Sequence, residues 1–422
     1  MTKNICIVGL GYVGLPLAHA FSRKFQVVGL DISEERIKEL ENGIDRTMEL
    51  SNEDIKEALN NGLKFTSNYQ NAKHCNVYII TVPTPINEDN EPDLTPIKKS
   101  TEAVSKIISK NDIIIYESTV YPGLTEEFAV PILEKGSDLK FNEDFYCGYS
   151  PERINPGDKK HTITNILKIT SGSTPEIAKI VDELYQSIIT AGTYLAPSIK
   201  VAEAAKVIEN IQRDVNIALI NELAMIFDLM DINTNDAIEA ASTKWNFIKL
   251  KPGLVGGHCI AVDPYYLTHK AKKLGYSPKL VLGAREINDG MSQFIVEKTI
   301  KEMAVVNKKL KGSKILILGL SFKENCPDTR NSKVFDIVKK LKQFECDIDI
   351  HDYLVDKSNP KLKNINYLSE IPLGSEKYDA IIVALGHDEF KKLTDVDFAS
   401  MTKDIPIIID IQGIVSNPSW RL

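Results

Sequence analysis

Cys259 follows two glycines and a histidine in the stretch PGLVGGHCIAVDPYYL, residues 252–267. The backbone is most permissive here, in a segment patterned neither as a packed helix nor as a strand. Gly256 and Gly257 would let a ligand approach the chain closely beside the thiol. A thiol is a nucleophile that can bond covalently to an aldehyde carbon. The alternative is a small buried side chain without a reactive role.

Three polar residues could serve such a nucleophile. Lys206 and Asn210 are spaced i and i+4 in a predicted helix and therefore share one face. An ammonium beside an amide could hold a developing oxyanion, although a lysine on a helix is more often solvated. Asp263 precedes Pro264, which predicts an N-cap and first position of a helix that runs to Gly275. That structural role does not exclude a catalytic one.

A glycine fingerprint opens the chain. Gly9, Gly11 and Gly14 form G-x-G-x-x-G directly after an apolar run, and Asp31 ends the next one. In a strand–turn–helix context this pattern is typical of dinucleotide binding, with the pyrophosphate at the helix N-terminus. Asp31 would accept hydrogen bonds from the ribose and repel a 2′-phosphate, which favours NAD over NADP; Arg36 nearby weakens that preference.

Two further turns follow predicted strands at the same edge of the sheet. They are TVPTP, residues 81–85, and ESTVYPG, residues 117–123. Ligands of open α/β sheets bind beyond the carboxyl ends of the strands. The turns are therefore candidates for ligand contact, with rigid chain connections as the alternative.

Strands alternate with helices at both ends of the chain. The pattern predicts strands near residues 4–9, 26–31, 77–82 and 112–117, and again from Lys314 onward. Between them, residues 196–232 predict one helix of about 30 residues. We expect an α/β fold: two Rossmann-like, doubly wound parallel-sheet domains joined by a long central helix and a helical middle domain. The expected domains are 1–195, 196–310 and 311–422. The C-terminal α/β domain, 311–422, lacks the glycine fingerprint, so we expect it to bind something other than a dinucleotide.

Composition excludes several classes of protein. A net charge of −7 argues against a general nucleic-acid binder. No apolar run reaches the roughly 18–20 residues that span a bilayer. The start, MTKNICIVGLGYVG, enters a predicted strand directly, so we expect no signal peptide. The six cysteines contain no Cys-x-x-Cys pair, which signals neither zinc nor a redox dithiol. We expect a cytoplasmic protein with five packing cysteines, and Cys259 as the exception.

Taken together, these motifs resemble the UDP-glucose/GDP-mannose dehydrogenase family over essentially the whole chain. The matching segments, in the family's order, are GLGYVGLPLA, TVPTP, ESTVYPG, SPERINPGD, AAKVIENIQRD, PGLVGGHCIAVDPYYL and GLSFKENCPDTRNS. The sequence GGHC, with its histidine at 258, resembles the corresponding segment in one branch of the family. That branch oxidises UDP-N-acetylglucosamine and UDP-N-acetylgalactosamine for bacterial surface polysaccharides. UDP-glucose and UDP-N-acetylmannosamine are the alternative substrates.

The resemblance implies a four-electron oxidation of a sugar C6 alcohol to the uronic acid, using two NAD in succession. Cys259 would capture the aldehyde as a thiohemiacetal, which is oxidised to a thioester and hydrolysed. Lys206 and Asn210 would stabilise the oxyanion, and Asp263 would assist proton transfer. Thr119 and Glu152 would position water and act as acid or base. Without the resemblance, Glu152 would be interpreted as a surface carboxylate.

The resemblance also implies binding residues and a homodimer formed through the central helical region. Besides the glycines and Asp31, the expected cofactor contacts are Tyr12, Val13, Arg36, Thr84, Thr119 and Arg330. The expected contacts with the UDP-sugar are Glu152, Arg153, Lys206, Asn210, Lys249, Gly256 and Lys323. For the cations at 323 and 330, phosphate binding competes with an interdomain salt bridge.

Two other functions fit parts of the pattern. A two-electron dehydrogenase of the 3-hydroxyacid type would need no thiol and would release one NADH per substrate. A non-catalytic regulator that binds NAD or a nucleotide sugar is the third hypothesis. Retention of Lys206, Asn210, Cys259 and Asp263 together argues against that regulator.

Overall fold

A computed structural model describes residues 3–87, 89–154, 162–257, 259–356, 359–363 and 365–422, without the side chains of Cys259 and Pro360. The chain divides into two compact units. The first contains Met1–Glu209 and Tyr265–Ser277, and the second contains Asn210–Pro264 and Pro278–Leu422. In the described residues, no helix combines the length and the apolar character needed to cross a membrane.

The first unit is built on a parallel six-stranded sheet. Its strands are β1 (Asn4–Val8), β2 (Gln26–Leu30), β3 (Lys64–Thr66), β4 (Val77–Ile80), β5 (Ile113–Tyr116) and β6 (Tyr146–Tyr149), in the order β3-β2-β1-β4-β5-β6. A parallel pair, β7 (Lys168–Thr170) and β8 (Thr193–Leu195), adds a second small sheet. The central strands are continuously apolar and buried, as expected for a sheet covered on both faces. The order reverses between β1 and β4, the place where such sheets leave a ligand crevice.

Helices connect these strands. They are α1 (Gly14–Ser22), α2 (Glu34–Glu41), α3 (Asn52–Asn60), α4 (Thr95–Ser105), α5 (Val130–Ser137) and α6 (Pro175–Gln186). Helix α7 (Ile199–Leu229) follows and has 31 residues, which confirms the predicted long helix. Its first eleven residues belong to the first unit and the remainder to the second.

The second unit repeats the sheet order. Strands β9 (Lys314–Leu318), β10 (Asp347–His351), β11 (Asn366–Leu368), β12 (Ala380–Val383), β13 (Ile408–Asp410) and β14 (Trp420–Arg421) are arranged as β11-β10-β9-β12-β13-β14. Among the described residues the remaining α-helices are α8 (Thr234–Ser242), α9 (Cys259–Lys273), α10 (Lys279–Val305), α11 (Val334–Gln343) and α12 (Asp395–Met401). Two doubly wound parallel sheets, separated in the sequence by a helical region, confirm the predicted fold class.

Candidate active site

The glycine fingerprint lies in the turn between β1 and α1. Gly9 has a φ of +98°, a left-handed conformation that favours glycine, and its amide donates to the Leu30 carbonyl at 2.7 Å. A Cβ at Gly14 would lie 1.8 Å from the Gly9 carbonyl oxygen and 2.4 Å from Thr81 Oγ1. At Gly11 a Cβ would meet nothing within 4 Å. The turn therefore packs tightly at Gly14 and leaves free space at Gly11, which fits the approach of a pyrophosphate.

Asp31 and Arg36 hold this turn from the neighbouring strand and helix. Asp31 accepts the amide of Leu10 at 2.9 Å and that of Ser33 at 2.9 Å. Arg36 is 5% exposed; its Nε donates to the Leu10 carbonyl at 3.0 Å, and it bonds to Asp45 at 2.6 Å. Asp31 thus lies at the end of β2, as the ribose contact requires, while Arg36 supports the loop from inside. A dinucleotide fits these residues; contact with Arg36, and with the half-buried Tyr12 and Val13, stays a prediction.

Hydrogen bonds join the following strand ends to the fingerprint. Thr81 Oγ1 donates to the Gly9 carbonyl at 2.7 Å. Ser118 Oγ donates to the Val82 carbonyl at 2.6 Å, and its own carbonyl accepts the Tyr149 hydroxyl at 3.2 Å. The ends of β4, β5 and β6 are therefore rigid connections. The buried Thr84 and the half-buried Thr119 belong to these same turns, so rigidity and ligand contact are compatible.

Glu152 belongs to a buried cluster of charges. It is 8% exposed, so its interpretation as a surface carboxylate is wrong. One oxygen accepts the amides of Arg153 and Ile154 at 2.6 and 2.7 Å, and the other lies 3.1 Å from Lys168 Nζ. Lys168 Nζ also lies 2.7 Å from Glu117, in ESTVYPG. Sequence reasoning missed Lys168 because it belongs to no motif. Residues 155–158 of SPERINPGD lie outside the described residues.

Helix α7 contributes a second buried carboxylate that the sequence did not single out. Glu203 accepts the amide of Gly123 at 2.5 Å and that of Thr125 at 2.9 Å. Burial raises the pKa of Glu203 to about 7, even though these donors oppose the shift. One turn further along, Lys206 is 6% exposed, so its interpretation as a solvated lysine is wrong.

Asn210 and Asp263 form a buried pair in the second unit. Asn210 Nδ2 donates to Asp263 Oδ2, and the two residues are 5% and 0% exposed. The predicted N-cap at Asp263 is wrong, because α9 begins at Cys259 and Pro264 lies inside it. A proline near a helix start removes only one backbone hydrogen bond, here the bond to the carbonyl of Ile260. Asp263 consequently lies one turn after Cys259 on the same helix; His258 lies outside the described residues.

The five other cysteines behave as predicted. Cys6, Cys75, Cys147, Cys326 and Cys346 are all free and buried. Burial raises the pKa of the Cys75 thiol to about 12 and raises those of Cys6 and Cys147 well above the ordinary range. Such thiols are poorly ionised and inert.

The double glycine before Cys259 packs against the chain itself. A Cβ at Gly257, whose φ is +79°, would lie 2.7 Å from the Phe322 ring. A Cβ at Gly256 would lie 2.9 Å from the carbonyl oxygen of Asn331, and Asn331 Nδ2 donates to the Gly257 carbonyl at 3.2 Å. The glycines are thus explained by the close approach of the loop after β9. Contact of Gly256 with substrate stays a prediction.

Three of the four remaining predicted cations have carboxylate partners. Arg153 bonds to Glu209 at 2.7 Å, and the exposed Lys249 bonds to Glu239 at 2.5 Å. Arg330 pairs with Asp328 at 2.6 Å within its own loop. Lys323 is exposed in the same loop. Since long exposed side chains exchange partners at little cost, these pairs are compatible with binding phosphate or sugar.

Comparison with known proteins gives a consistent picture along the chain. Residues 3–189, 200–290 and 316–417 match the NAD binding, central and UDP binding domains of the UDP-glucose/GDP-mannose dehydrogenase family. The chain is 54% identical over 413 residues to a UDP-N-acetyl-D-glucosamine 6-dehydrogenase of Salmonella typhi, covering 98% of this chain and 96% of that one. A protein of the same name from Pseudomonas aeruginosa is 53% identical, with 98% and 97% covered. The solved UDP-D-ManNAc dehydrogenase of Pyrococcus horikoshii is 33% identical, with a TM-score of 0.89 and 99% and 98% covered.

Proposed function

The chain belongs to the UDP-glucose/GDP-mannose dehydrogenase family, and from that premise we propose that it is a UDP-N-acetylglucosamine 6-dehydrogenase. It oxidises the C6 alcohol of the sugar to the uronic acid with NAD. The observation that carries the proposal is 54% identity over 98% of the chain to a relative of that name, against 33% to a UDP-D-ManNAc dehydrogenase. UDP-N-acetylgalactosamine, the C4 epimer, is a second candidate substrate, because a pocket accepting both need lose only a hydrogen bond of roughly 0.5–1.5 kcal/mol.

The cofactor is held by the turn after β1. Gly11 gives the pyrophosphate access to the backbone, and Asp31 accepts the ribose hydroxyls. NAD, when bound, takes up the hydride that leaves the sugar carbon. Tyr12, Val13, Arg36, Thr84, Thr119 and Arg330 complete the proposed cofactor contacts.

Cys259 is the proposed nucleophile. Its sulfur adds to C6 of the aldehyde to form a thiohemiacetal, which becomes a thioester by losing its C6 hydride to a second NAD. Water then displaces the sulfur from the thioester, which releases the acid and restores the thiol. The start of α9 at Cys259 supports this role, because a helix N-terminus favours thiolate. Asp263, one turn along the helix and bonded to Asn210, is the proposed acceptor of a proton from the thiol or from water.

Four further residues complete the proposed chemistry. Lys206 and Asn210 stabilise the oxyanion that forms when sulfur or water attacks C6. Glu152 and Thr119 orient water and transfer its proton. The proposed contacts with the UDP-sugar are Glu152, Arg153, Lys206, Asn210, Lys249, Gly256 and Lys323. The match of residues 316–417 to a UDP binding domain supports a UDP-sugar as the substrate.

The domain organisation follows the same reasoning. We propose an NAD binding domain at 1–195, a helical domain at 196–310 and a UDP-sugar binding domain at 311–422. We also propose a homodimer in the cytoplasm that serves bacterial surface polysaccharide synthesis.

Product stoichiometry tests the proposal. Purified protein is incubated with NAD and, in separate assays, with UDP-GlcNAc, UDP-GalNAc, UDP-ManNAc and UDP-glucose. UDP-GlcNAc should support the highest kcat/KM and yield two NADH per sugar consumed. A ratio of one would favour the two-electron dehydrogenase, and NAD binding without turnover of any sugar would favour the regulator.

A Cys259→Ser variant tests the covalent route in the same assay. We expect the variant to release uronic acid much more slowly than the wild type, because serine can form only an oxygen ester in place of the more reactive thioester. Cys75→Ser, at a buried thiol outside the site, serves as the control and should keep the two-to-one ratio. Wild-type turnover by Cys259→Ser would contradict the nucleophilic role.

A further inference from the structure

Lys168 is the first residue of β7, and its ammonium lies between the carboxylates of two different motifs. Its side chain is 3% exposed. Nζ lies 2.7 Å from Glu117 Oε2, at the end of β5, and 3.1 Å from Glu152 Oε2, beyond the end of β6. A buried ammonium is costly unless it is paired and hydrogen-bonded. The two carboxylates together offset that cost.

The two carboxylates differ in their surroundings. Glu117 has a fully buried side chain, and its second oxygen accepts the Tyr185 hydroxyl. Both of its oxygens are thus engaged inside the cluster. Glu152 lies at the edge, with 10% of its side chain exposed, and its second oxygen accepts two backbone amides. Glu117 therefore anchors Lys168, and Glu152 is the group that Lys168 holds in place.

We propose that Lys168 is a positioning residue that fixes the Glu152 carboxylate for its work on water, anchored from behind by Glu117 and Tyr185. The inference rests on the proposed function, since the role of Glu152 does. Lys168 holds one Glu152 oxygen and the main chain holds the other, so the carboxylate is restrained at both. Loss of the ammonium would leave the backbone contacts intact but release the side chain to rotate. A misplacement of about 1 Å costs catalysis as much as a hundredfold.

Lys168→Met tests the proposal, with UDP-GlcNAc and NAD as substrates. We expect kcat to fall between roughly tenfold and a hundredfold, with the KM for UDP-GlcNAc and the affinity for NAD nearly unchanged. Lys168→Arg should recover much of the lost rate, because a guanidinium can also bridge two carboxylates. The proposal would be overturned if Lys168→Met lowered kcat, raised the KM and lowered the thermal stability together, and if Lys168→Arg restored none of them.

Two comparisons separate positioning from general damage. Lys298→Met removes a buried lysine paired with Asp228 in another part of the chain and should lower Tm without the selective loss in kcat. Should Lys168→Met fail to fold, the double variant Glu117→Gln/Lys168→Met removes the carboxylate left without its cation. That double variant should show the same selective loss, and normal kcat in it would overturn the proposal.

A double-mutant cycle distinguishes this inference from the proposed function. If Lys168 acts through Glu152, Lys168→Met should have no further effect on kcat in a Glu152→Gln background. Additive losses in the two variants would overturn the positioning role. Full activity of Glu152→Gln would instead contradict the proposed role of Glu152.

Discussion

Glu203 shows at the residue scale how a buried carboxylate can shape a site without being part of any catalytic motif. Its two oxygens accept the amides of Gly123 and Thr125, so it ties α7 to the turn that contains Thr119. It lies three residues before Lys206 on the same helix. Because the side chain is 0% exposed, burial outweighs these donors and raises the pKa from 4.5 to about 7.

This pKa predicts a pH dependence of stability. Between pH 4.5 and about 7 the folded chain holds a proton on Glu203 that the unfolded chain has released. The contribution to the free energy of unfolding is therefore complete at low pH and is lost as pH rises through about 7. The loss amounts to about 3 kcal/mol at most. Glu203→Gln cannot titrate, so its stability relative to the wild type should improve as pH rises.

Thermal unfolding from pH 5 to pH 8 measures this difference. Glu286→Gln, at an exposed glutamate of α10, is the control, and its curve should stay parallel to that of the wild type. If the Glu203→Gln curve were also parallel to that of the wild type, the Glu203 carboxylate would have the same pKa in the folded and the unfolded chain, which would contradict the prediction. Replacing one acceptor oxygen of Glu203 also lowers the stability of the variant by an amount that does not depend on pH. This offset shifts its whole curve of Tm against pH and leaves the slope, which is what is compared, unchanged.

At the scale of elements, the same strand-end device appears in both sheets. Gly9 and Gly319 have φ values of +98° and +97°, and each donates its amide to the neighbouring strand. The next amide, of Leu10 or Leu320, donates to Asp31 at 2.9 Å or to Asp352 at 2.7 Å. The second turn has no counterpart of Gly14, and its helix α11 begins only at Val334. The two sheets therefore present different ligand sites on one architecture.

Gly14 and Gly11 make a matched pair of tests for the fingerprint. Alanine in a helix normally stabilises relative to glycine by about 1 kcal/mol, but at Gly14 its Cβ would lie 1.8 Å from a backbone oxygen. Gly14→Ala should therefore lower both Tm and NAD affinity. Gly11→Ala should keep the wild-type Tm and weaken NAD binding by about tenfold or more, near 1.4 kcal/mol. Calorimetry measures the affinity, and thermal unfolding measures Tm.

The control for this pair is Gly283→Ala in α10, where a Cβ meets nothing within 4 Å. It should leave NAD affinity unchanged. Wild-type NAD affinity in Gly11→Ala would mean that the pyrophosphate does not approach the backbone at this turn. Wild-type stability in Gly14→Ala would mean that the turn can open without cost.

At the scale of the whole molecule, one face of α7 remains apolar and exposed. Leu219, Ile226 and Leu229 are 52%, 45% and 84% exposed, and Met230, just beyond the end of the helix, is 59% exposed. The spacing of seven residues places Leu219 and Ile226 on one side of the helix. Clusters of this kind mark protein–protein contacts in soluble proteins. They support the proposed homodimer through the central helix.

Charge substitutions on this face test the dimer. The double variant Leu219→Glu/Ile226→Glu should shift the protein from dimer to monomer, because a partner helix would have to bury two carboxylates. Light scattering across a range of concentrations measures the mass. Val396→Glu, at a 77% exposed site on α12, is the control and should remain dimeric. A dimeric double variant would place the interface elsewhere.

The sequence by itself determined the fold class, the cofactor turn and the long helix. These features are encoded by short apolar runs, by the spacing of three glycines and by a long segment without glycine or internal proline. Each signal lies within neighbouring residues, so the local sequence is enough to predict the feature. Cys259 was singled out from its double-glycine context alone, whereas Glu152 was singled out only by the resemblance to a family. Short edge strands such as β11 and β14 carried too little apolar pattern to be predicted.

Only the tertiary structure decided which polar side chains are buried together. Lys168 meets Glu117 and Glu152 across separations of 51 and 16 residues, and Asn210 meets Asp263 across 53. It also showed that Phe322 explains Gly257 and that α9 begins before Asp263. The physical reason is that the cost of burying a charge depends on partners distant in sequence, which no local pattern records.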